Sequence, residues 1–217
     1  ARNSTRAEGF AAEDEALGDL IMSDELRSGL YAFDLVQKRA KRPAGAPDKS
    51  LARPVTKVGV VGAGLMAGQL ALLFARRLGV PVVLTDLDQA RVDKGVAYVH
   101  GEIAGLLAKK RLSPDKASFL TRLVTGSTSK EAFADAELVI EAVFEEIAVK
   151  KQVFAEVEAV VSPTCVLATN TSSLSVSEMA ADLAHPARAV GLHFFNPVAG
   201  MPLVGVIPGE PPDAATL

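Results

Sequence analysis

The pattern of apolar and polar positions divides the chain into two parts. Between residues 7 and 39, apolar residues recur three or four positions apart, which predicts amphipathic helices over Ala7–Met22 and Ser23–Arg39. Two helices of this length cannot cover their own apolar faces. We therefore expect this segment to pack on another body of protein, and we expect the proline-rich residues 40–54 to form a linker.

From Val55 onward, short apolar runs rich in β-branched residues alternate with helical patterns. The predicted strands are Val58–Val61, Val80–Leu84, Leu138–Ile140, Cys165–Ala168 and Ala189–Leu192. The predicted helices are Leu65–Leu78, Gln89–Lys110, Pro114–Leu123, Ile147–Val161 and Val176–Leu183, with possible capping boxes at Thr128 and Ser175. Such alternation is typical of βαβ units. The predicted fold class is α/β: a Rossmann-like, doubly wound and mostly parallel sheet over residues 55–217, preceded by two helices and a linker.

Composition narrows the classes of function. The 217 residues include 23 Lys and Arg against 26 Asp and Glu, a net charge of −3, which argues against nucleic acid or an anionic membrane as the main partner. No apolar run is long enough to span a membrane, and the start lacks the apolar core of a signal peptide. The single cysteine cannot form an internal disulfide. We therefore expect a cytoplasmic protein, and the missing initial Met indicates an origin in a longer chain.

The strongest local motif lies between the first predicted strand and the first helix of the α/β region. It contains Gly62, Gly64 and Ala67 in the arrangement G-x-G-x-x-A of the dinucleotide fingerprint. In that fingerprint the first glycine makes the tight turn, the second lets the backbone approach a pyrophosphate, and the alanine keeps helix and strand close. The alternative is a strand-to-helix turn with no ligand.

Asp86 favours a dinucleotide site over a turn with no ligand. It ends the second predicted strand, at about the distance of 20 residues at which the fingerprint places an acidic residue. A carboxylate there binds the ribose 2′-hydroxyl and repels a 2′-phosphate, and no basic residue follows before Arg91. The sequence therefore predicts a site for NAD rather than NADP.

Proton-transfer chemistry is expected at one histidine. Of the three histidines, only His193 lies at the carboxyl end of a predicted strand, where open α/β sheets bind ligands. An imidazole ordinarily titrates near neutral pH, as a general base requires. The alternative is that His193, followed by two phenylalanines, is a core residue.

Two further strand ends carry polar residues that can face the same crevice. Asn170 and Ser172 follow one strand, and Glu145 and Lys150 follow another. The alternatives are hydroxyl caps for the next helix and a surface pair of Glu146 with Lys150. Because the carboxyl ends of parallel strands lie at one edge of a sheet, we expect these residues to gather near the glycine motif.

Together these motifs resemble the NAD-binding domain of 3-hydroxyacyl-CoA dehydrogenases. The matching segments are Gly62–Gly68, Asp86, Glu141–Glu145, Asn170–Ser173 and Gly191–Pro197, in the same order and spacing over about residues 55–208. The upstream helices and linker resemble the junction in multifunctional fatty-acid β-oxidation enzymes, where an enoyl-CoA hydratase region precedes the dehydrogenase. By this resemblance residues 1–39 would be the tail of that region.

The resemblance implies an enzyme that oxidises an (S)-3-hydroxyacyl-CoA to the 3-ketoacyl-CoA with transfer of hydride to NAD. His193 would be the general base, and Ser172 and Asn196 would hold the reacting oxygen or the nicotinamide. The cofactor-binding residues would be Gly62, Gly64, Leu65, Met66, Ala67, Asp86, Glu145, Lys150 and Asn170, and no metal ion is expected.

One position departs from the family pattern. Where the family has glutamate in a segment of the type Met-x-Leu-Val-Glu, this chain has Gly205 in Met201–Gly205. By the resemblance that carboxylate orients the imidazole, so its absence is expected to slow turnover. The chain also ends at Leu217, before the helical domain that in the family follows and closes over the acyl chain.

Three functions stay open. The first is the dehydrogenase module of a larger multifunctional enzyme that acts on 3-hydroxyacyl-CoA. The second is a catalytically silent NAD-binding or structural module, and the third is a stand-alone short-chain 3-hydroxyacyl-CoA dehydrogenase. The two helices before the linker favour the first over the third. Self-association and binding to a thiolase, which the resemblance also implies, would use regions outside this chain.

Overall fold

The computed structural model describes residues 5–40 and 46–209, in two units divided between Ala46 and Pro47. The first unit contains α1 (Arg6–Met22) and α2 (Asp24–Asp34), followed by a π-helical turn over Leu35–Ala40. The second predicted helix therefore changes its hydrogen-bond pattern after Asp34 instead of continuing as an α-helix to Arg39. Part of the predicted linker, residues 41–45, lies outside the described residues.

The two helices of the first unit begin at hydroxyl caps. The Thr5 hydroxyl accepts a hydrogen bond from the Glu8 N–H in a capping box, and the Ser23 hydroxyl accepts one from the Leu26 N–H. Neither helix contains a buried residue. Their exposed apolar residues are Phe10, Leu17, Leu20, Ile21, Met22, Leu30, Tyr31 and Phe33.

The second unit contains a seven-stranded sheet in the order β3-β2-β1-β4-β5-β6-β7. The strands are β1 (Val58–Val61), β2 (Val82–Thr85), β3 (Val124–Ser127), β4 (Leu138–Glu141), β5 (Val166–Thr169), β6 (Ala189–Phe194) and β7 (Val204–Pro208). All neighbours pair in parallel except β7, which is antiparallel to β6. The order from β3 through β6 is that of the doubly wound dinucleotide-binding fold, so the predicted fold class is confirmed.

Five α-helices cover the sheet in the described part of this unit. They are α3 (Leu65–Leu78), α4 (Gln89–Ala108), α5 (Pro114–Leu123), α6 (Ile147–Glu158) and α7 (Val176–Ala180). Three of them, α4, α6 and α7, end earlier than predicted. Apolar residues continue into the turns after α6 and α7, whereas α4 ends at Ala108 because Lys110 has a positive φ of 55°. The predicted cap at Thr128 is wrong: the Ser129 hydroxyl accepts from the Glu131 N–H at 3.3 Å and begins a short 3₁₀-helix.

Alternate strand residues pack on opposite faces of the sheet. Val60 and Ile140 belong to a buried cluster with α3, α4 and α5, whereas Val61 and Val139 belong to a second cluster with α6 and α7. Covering on both faces explains why the strands read as continuous apolar runs. The carboxyl ends of the strands are then the edge at which the sheet is open to ligands.

Two strands, β3 and β7, were not predicted from the apolar pattern. Most of β3 is polar or glycine, and β7 is an exposed edge strand that contains Gly205 and ends at Pro208. Pairing with a neighbour, not an apolar run, makes these segments strands. Among the described residues, no helix is both long and apolar enough to cross a membrane.

Candidate active site

The turn after β1 requires glycine at its first position. Gly62 has φ +107° and donates its N–H to the Thr85 carbonyl at 2.7 Å. A Cβ at Gly62 would lie 2.9 Å from the Ala142 carbonyl oxygen, on the neighbouring strand end. Both the positive φ and the close approach exclude larger residues, and the turn therefore brings the start of α3 against β4.

The first turn of α3 is open. Gly64 is its N-cap and makes no side-chain cap, and a Cβ there would meet no protein atom within 4 Å. The N-terminal N–H groups of a helix with no cap are suited to bind an anion. Ala67 is fully buried, and its methyl would lie 3.7 Å from a Cβ at Gly62, so it packs the helix onto the turn instead of lining an open surface.

Asp86 joins β2 to the glycine turn. Its Oδ2 accepts from the Ala63 N–H at 2.9 Å, and its Oδ1 accepts from the Leu87 N–H at 2.7 Å. The Arg91 guanidinium lies 3.6 Å from Oδ1. The carboxylate is therefore held in place by two backbone donors, and its remaining lone pairs can accept from a ligand.

A cavity of about 750 Å³ opens beside this turn. It is lined by the predicted residues Gly62, Gly64, Leu65, Met66 and Asp86 and by residues of α4 and α6. This volume is within the range of about 300–1,000 Å³ typical of sites for small ligands. The predicted residues Ala67, Glu145, Lys150, Asn170, Ser172, His193 and Asn196 do not line it.

A buried ion pair lies below the ends of β4 and β5. Lys150 and Glu141 are each 1% exposed, and the Lys150 Nζ lies 2.7 and 2.8 Å from the two Glu141 carboxylate oxygens. The Thr169 hydroxyl and the Val143 N–H also donate to Glu141. Lys150 therefore does not form the surface pair with Glu146, and its ammonium is fully engaged inside the protein.

The same ammonium supports Glu145. The Lys150 Nζ lies 3.2 Å from Glu145 Oε2, while Glu145 Oε1 accepts from the Thr171 hydroxyl and, at 3.0 Å, from the Ser172 N–H. Burial raises the pKa of the Glu145 carboxyl, but these hydrogen bonds and the Lys150 charge outweigh it, so that the net pKa lies below its ordinary value. The carboxylate thus stays ionised and holds the backbone at Ser172.

His193 lies near the end of β6, which Asn170 fastens to β5. The Asn170 Oδ1 accepts from the Phe194 N–H at 2.9 Å. The half-buried His193 ring stacks at a tilt on the Phe195 ring, with centroids 4.6 Å apart. Within the described residues the imidazole makes no hydrogen bond. It is therefore neither a buried core residue nor oriented by a polar partner.

Gly205 is paired with His193 in the antiparallel register of β6 and β7. A Cβ at Gly205 would lie 3.5 Å from the His193 Cβ and 3.5 Å from the Ile207 side chain, which is ordinary van der Waals contact. A side chain at this position would therefore begin beside His193 without a clash at its Cβ. The glycine leaves that place without a carboxylate.

The register of the sheet brings the predicted residues to one edge. Val61 pairs with Glu141, Glu141 with Thr169, and Thr169 with Gly191, two residues before His193. The strand ends therefore form a row from the glycine turn to the imidazole. Asn196 follows β6 at this edge, where its Oδ1 accepts from Gln69 Nε2 of α3 at 3.0 Å.

Several residues of this edge were missed in the sequence. Leu87 and Phe144 are 84% and 77% exposed although they are apolar, and both line the cavity. Each follows a strand whose end carries a predicted site residue, which is the signal that could have identified them. Glu141, which belongs to a segment already matched in the sequence, and Thr169 are the last residues of β4 and β5 and share this signal. Gln69 carries no such signal, because it lies within α3 and its role depends on partners from another element.

Comparison with known proteins identifies one family. The family described as 3-hydroxyacyl-CoA dehydrogenase, NAD binding domain, matches residues 57–217. Among solved structures, M. tuberculosis FadB2 is 36% identical, with a TM-score of 0.72 over 76% of this chain and 57% of its own. A 3-hydroxybutyryl-CoA dehydrogenase from Escherichia coli is 34% identical, with a TM-score of 0.72 over 75% of this chain and 34% of its own.

A third similar structure is the dehydrogenase part of multifunctional enzyme 1 from C. elegans. It is 27% identical, with a TM-score of 0.68 over 80% of this chain and 41% of its own. The chain thus spans between 34% and 57% of the length of these three proteins.

Proposed function

The chain belongs to the 3-hydroxyacyl-CoA dehydrogenase family through its NAD-binding domain, and from this premise we propose that the protein oxidises the 3-hydroxyl group of an (S)-3-hydroxyacyl-CoA to a ketone. The observation that carries the proposal is the row of paired strand ends between the Gly62 turn and His193. A redox reaction of an alcohol needs a dinucleotide and a general base at one crevice, and this edge supplies a place for both.

The residues around the cavity fit a dinucleotide. The open space at Gly64 allows close approach of a pyrophosphate to the start of α3. Thr85 lines the cavity, and its buried hydroxyl has no hydrogen-bond partner within the described residues, so a ligand that reaches it would supply one. The Asp86 carboxylate suits a ribose 2′-hydroxyl. When bound, NAD would supply the acceptor for the hydride that leaves carbon 3 of the substrate.

The side chains at the other end of the row would take part in transfer of the proton from the 3-hydroxyl group. The His193 imidazole would accept the proton of the 3-hydroxyl group as that oxygen becomes a carbonyl, a role that contributes typically about 10²–10⁴-fold to the rate. Asn170 uses its Oδ1 within the protein, which leaves its amide N–H groups for a ligand oxygen. Ser172, whose backbone is held by Glu145, would present its hydroxyl to the same oxygen.

The larger setting proposed is a multifunctional fatty-acid β-oxidation enzyme. The similarity to the dehydrogenase part of multifunctional enzyme 1 supports this setting. The helices α1 and α2, which contain no buried residue, support it as well, since their apolar side chains require a covering body. A cytoplasmic location belongs to the same proposal and is supported by the composition of the chain, whereas self-association and a thiolase partner are supported by the resemblance alone.

A second candidate is an NAD-binding module that does not turn over. The observation that favours it is Gly205, directly opposite His193, together with an imidazole that no described polar group orients. In serine proteases, replacing the acid that orients the histidine lowers turnover by about 10⁴, so the absence of such an acid is a serious loss. A stand-alone short-chain dehydrogenase is a third candidate, supported by the similarity to 3-hydroxybutyryl-CoA dehydrogenase.

The experiment compares Gly205→Glu with Gly205→Gln in an assay of NADH oxidation by acetoacetyl-CoA. The Cβ of the new side chain would lie 3.5 Å from the His193 Cβ. Its carboxylate is expected to stabilise the protonated imidazole, so we expect at least about tenfold faster turnover. The glutamine variant has the same shape without the charge and is expected to stay at the rate of the unchanged protein.

The assay is run on this chain and on a longer form of the protein, with short and long 3-ketoacyl-CoA substrates. Activity only in the longer form favours the multifunctional enzyme, and activity confined to acetoacetyl-CoA in the present chain favours the stand-alone enzyme. If Gly205→Glu is inactive in both forms while NADH still binds, the dehydrogenase proposal fails and the silent module is favoured.

A further inference from the structure

Gln69 connects the helix after the glycine turn to the segment that follows the His193 strand. Its Nε2 donates to Asn196 Oδ1 at 3.0 Å, and its Oε1 accepts from the Val198 N–H at 2.7 Å. Both ends of one carboxamide are thus used, and both partners belong to the segment after β6. Gln69, Asn196 and Val198 do not line the cavity beside the glycine turn.

The polarity of this connection is determined by a backbone group. A backbone N–H can only donate, so the Gln69 atom that faces Val198 must be its carbonyl oxygen. The other end of the same amide is then the NH₂ group, which can only donate, and the Asn196 atom that faces it must be Oδ1. The free end of the exposed Asn196 side chain is consequently its NH₂ group.

The connection is anchored at both ends in the core. Val198 is buried, and five residues along α3 from Gln69 the Phe74 ring packs edge-on against Phe194, with centroids 6.1 Å apart. Helix α3 therefore holds the end of β6 by an apolar contact and the following segment by hydrogen bonds. A carboxamide held in this way has little freedom to rotate and present its other atom.

We propose that Gln69 is a positioning residue that makes Asn196 a dedicated hydrogen-bond donor to a carbonyl oxygen of the bound ligand. The carbonyl is either the ketone of the acyl group or the carboxamide of the nicotinamide, which share this chemistry. The inference rests on the proposed function for the identity of the ligand, while the orientation of the two amides rests on the contacts alone.

Two variants separate this role from a purely structural one. Gln69→Glu retains an acceptor for the Val198 N–H but cannot donate to Asn196, so Asn196 turns its NH₂ group toward the glutamate and loses it for the ligand. Gln69→Leu removes both hydrogen bonds without adding charge. We expect about tenfold weaker binding of the ligand to Gln69→Glu, with thermal stability close to that of the unchanged protein. A purely structural role predicts the opposite result: ligand binding and thermal stability would be lowered in Gln69→Leu and unchanged in Gln69→Glu.

The Asn196→Ala background controls for the added charge. If Gln69 acts through Asn196, Gln69→Glu has little further effect in that background, whereas a direct effect of the charge on an anionic ligand persists. Equal effects of Gln69→Glu in the two backgrounds would overturn the proposal. Binding is measured by titration with NADH alone and with acetoacetyl-CoA, and the ligand whose affinity changes is the one that Asn196 contacts.

The side-chain NH₂ signals of a ¹⁵N-labelled protein test the orientation without any turnover. The Asn196 signal, assigned by its loss in Asn196→Ala, is expected to shift on addition of the ligand and to shift in the free Gln69→Glu protein as its NH₂ becomes hydrogen-bonded. An unchanged Asn196 signal in free Gln69→Glu would overturn the proposed orientation. The expected shift in a protein that lacks dehydrogenase activity would support the orientation while refuting the proposed function.

Discussion

The two ends of the open sheet edge are held by different means. At the glycine end, Asp86 is fastened by two backbone N–H groups, and the turn itself is fixed by the positive φ of Gly62. At the histidine end, the His193 ring rests on Phe195 and makes no hydrogen bond within the described residues. In the proposed reaction, cofactor binding would thus rely mainly on backbone groups, whereas proton transfer would rely on a side chain that a glycine at the paired position leaves without a polar partner.

The largest expected effect is on turnover, and it distinguishes the function of the histidine end of the sheet edge from that of the glycine end. His193→Gln removes the proton acceptor without touching the glycine turn, so turnover is expected to fall by about 10²–10⁴ while NADH affinity stays within about twofold. Turnover is measured by NADH oxidation in the Gly205→Glu background, and affinity by fluorescence titration. A comparable loss of NADH affinity would mean that the two ends are not separate.

The next effect concerns the buried pair of Lys150 and Glu141 at the ends of β4 and β5. Lys150→Met leaves the Glu141 carboxylate buried without its counter-charge, so the free energy of unfolding is expected to fall by about 3–5 kcal/mol in urea denaturation. The matched control is Lys151→Met, which removes an ammonium that pairs with the exposed Asp182 and is expected to leave the free energy of unfolding nearly unchanged. Equal losses in the two variants would contradict the structural role of the buried pair.

A smaller effect is expected at the glycine end. The Ala63 and Leu87 N–H groups donate to different oxygens of Asp86, and in Asp86→Asn one of these oxygens becomes an NH₂ group that cannot accept. We therefore expect Asp86→Asn to weaken NADH binding about tenfold, or about 1.4 kcal/mol. The preference for NADH over NADPH should fall as well, because the charge that repels a 2′-phosphate is gone. Asp93→Asn, on the exposed surface of α4, is the control, and an equal effect there would refute the role of Asp86.

The smallest effect is a dependence of stability on pH. The folded protein lowers the pKa of Glu145, so between its ordinary value of 4.5 and the lower folded value the unfolded chain binds more protons. The contribution of Glu145 is therefore complete above about pH 4.5 and is lost as the pH falls through the folded pKa. Thermal unfolding between pH 6 and pH 3 is expected to depend less on pH in Glu145→Gln. The Glu146 side chain makes no hydrogen bond or ion pair among the described residues, and an equal change in Glu146→Gln would contradict this assignment.

The sequence predicts a helix, strand or turn correctly where neighbouring residues of a single segment are enough to specify it. The run of buried residues in β1, the glycine turn and the start of α3 all follow from adjacent positions. The same reasoning missed β3 and β7, whose residues are partly polar or exposed and which are strands because of pairing with β2 and β6. It also continued α6 to Val161, since apolar periodicity does not mark where a helix gives way to a turn.

The sequence predicts which residues belong to the candidate site better than it predicts which residues they contact. His193, Asn170 and Asp86 are recognisable as polar residues at strand ends. Nothing in the sequence indicates that Gln69 contacts Asn196, because the two residues are 127 positions apart and Gln69 belongs to an ordinary helical pattern. Lys150 likewise reads as half of a surface pair, and only its position under β4 makes it a buried counter-charge.

The sequence by itself determined the βαβ alternation, the glycine motif after the first strand, and a glycine at position 205, where the resemblance led us to expect a carboxylate. The tertiary structure alone decided that Gly205 lies opposite His193, that one lysine neutralises two glutamates, and which atom of each asparagine is left for a ligand. The physical reason is the distance along the chain between the residues that interact. Turns and periodicity depend on neighbours along the chain, whereas hydrogen-bond polarity and charge pairing depend on partners that strand pairing and helix packing bring together from distant positions.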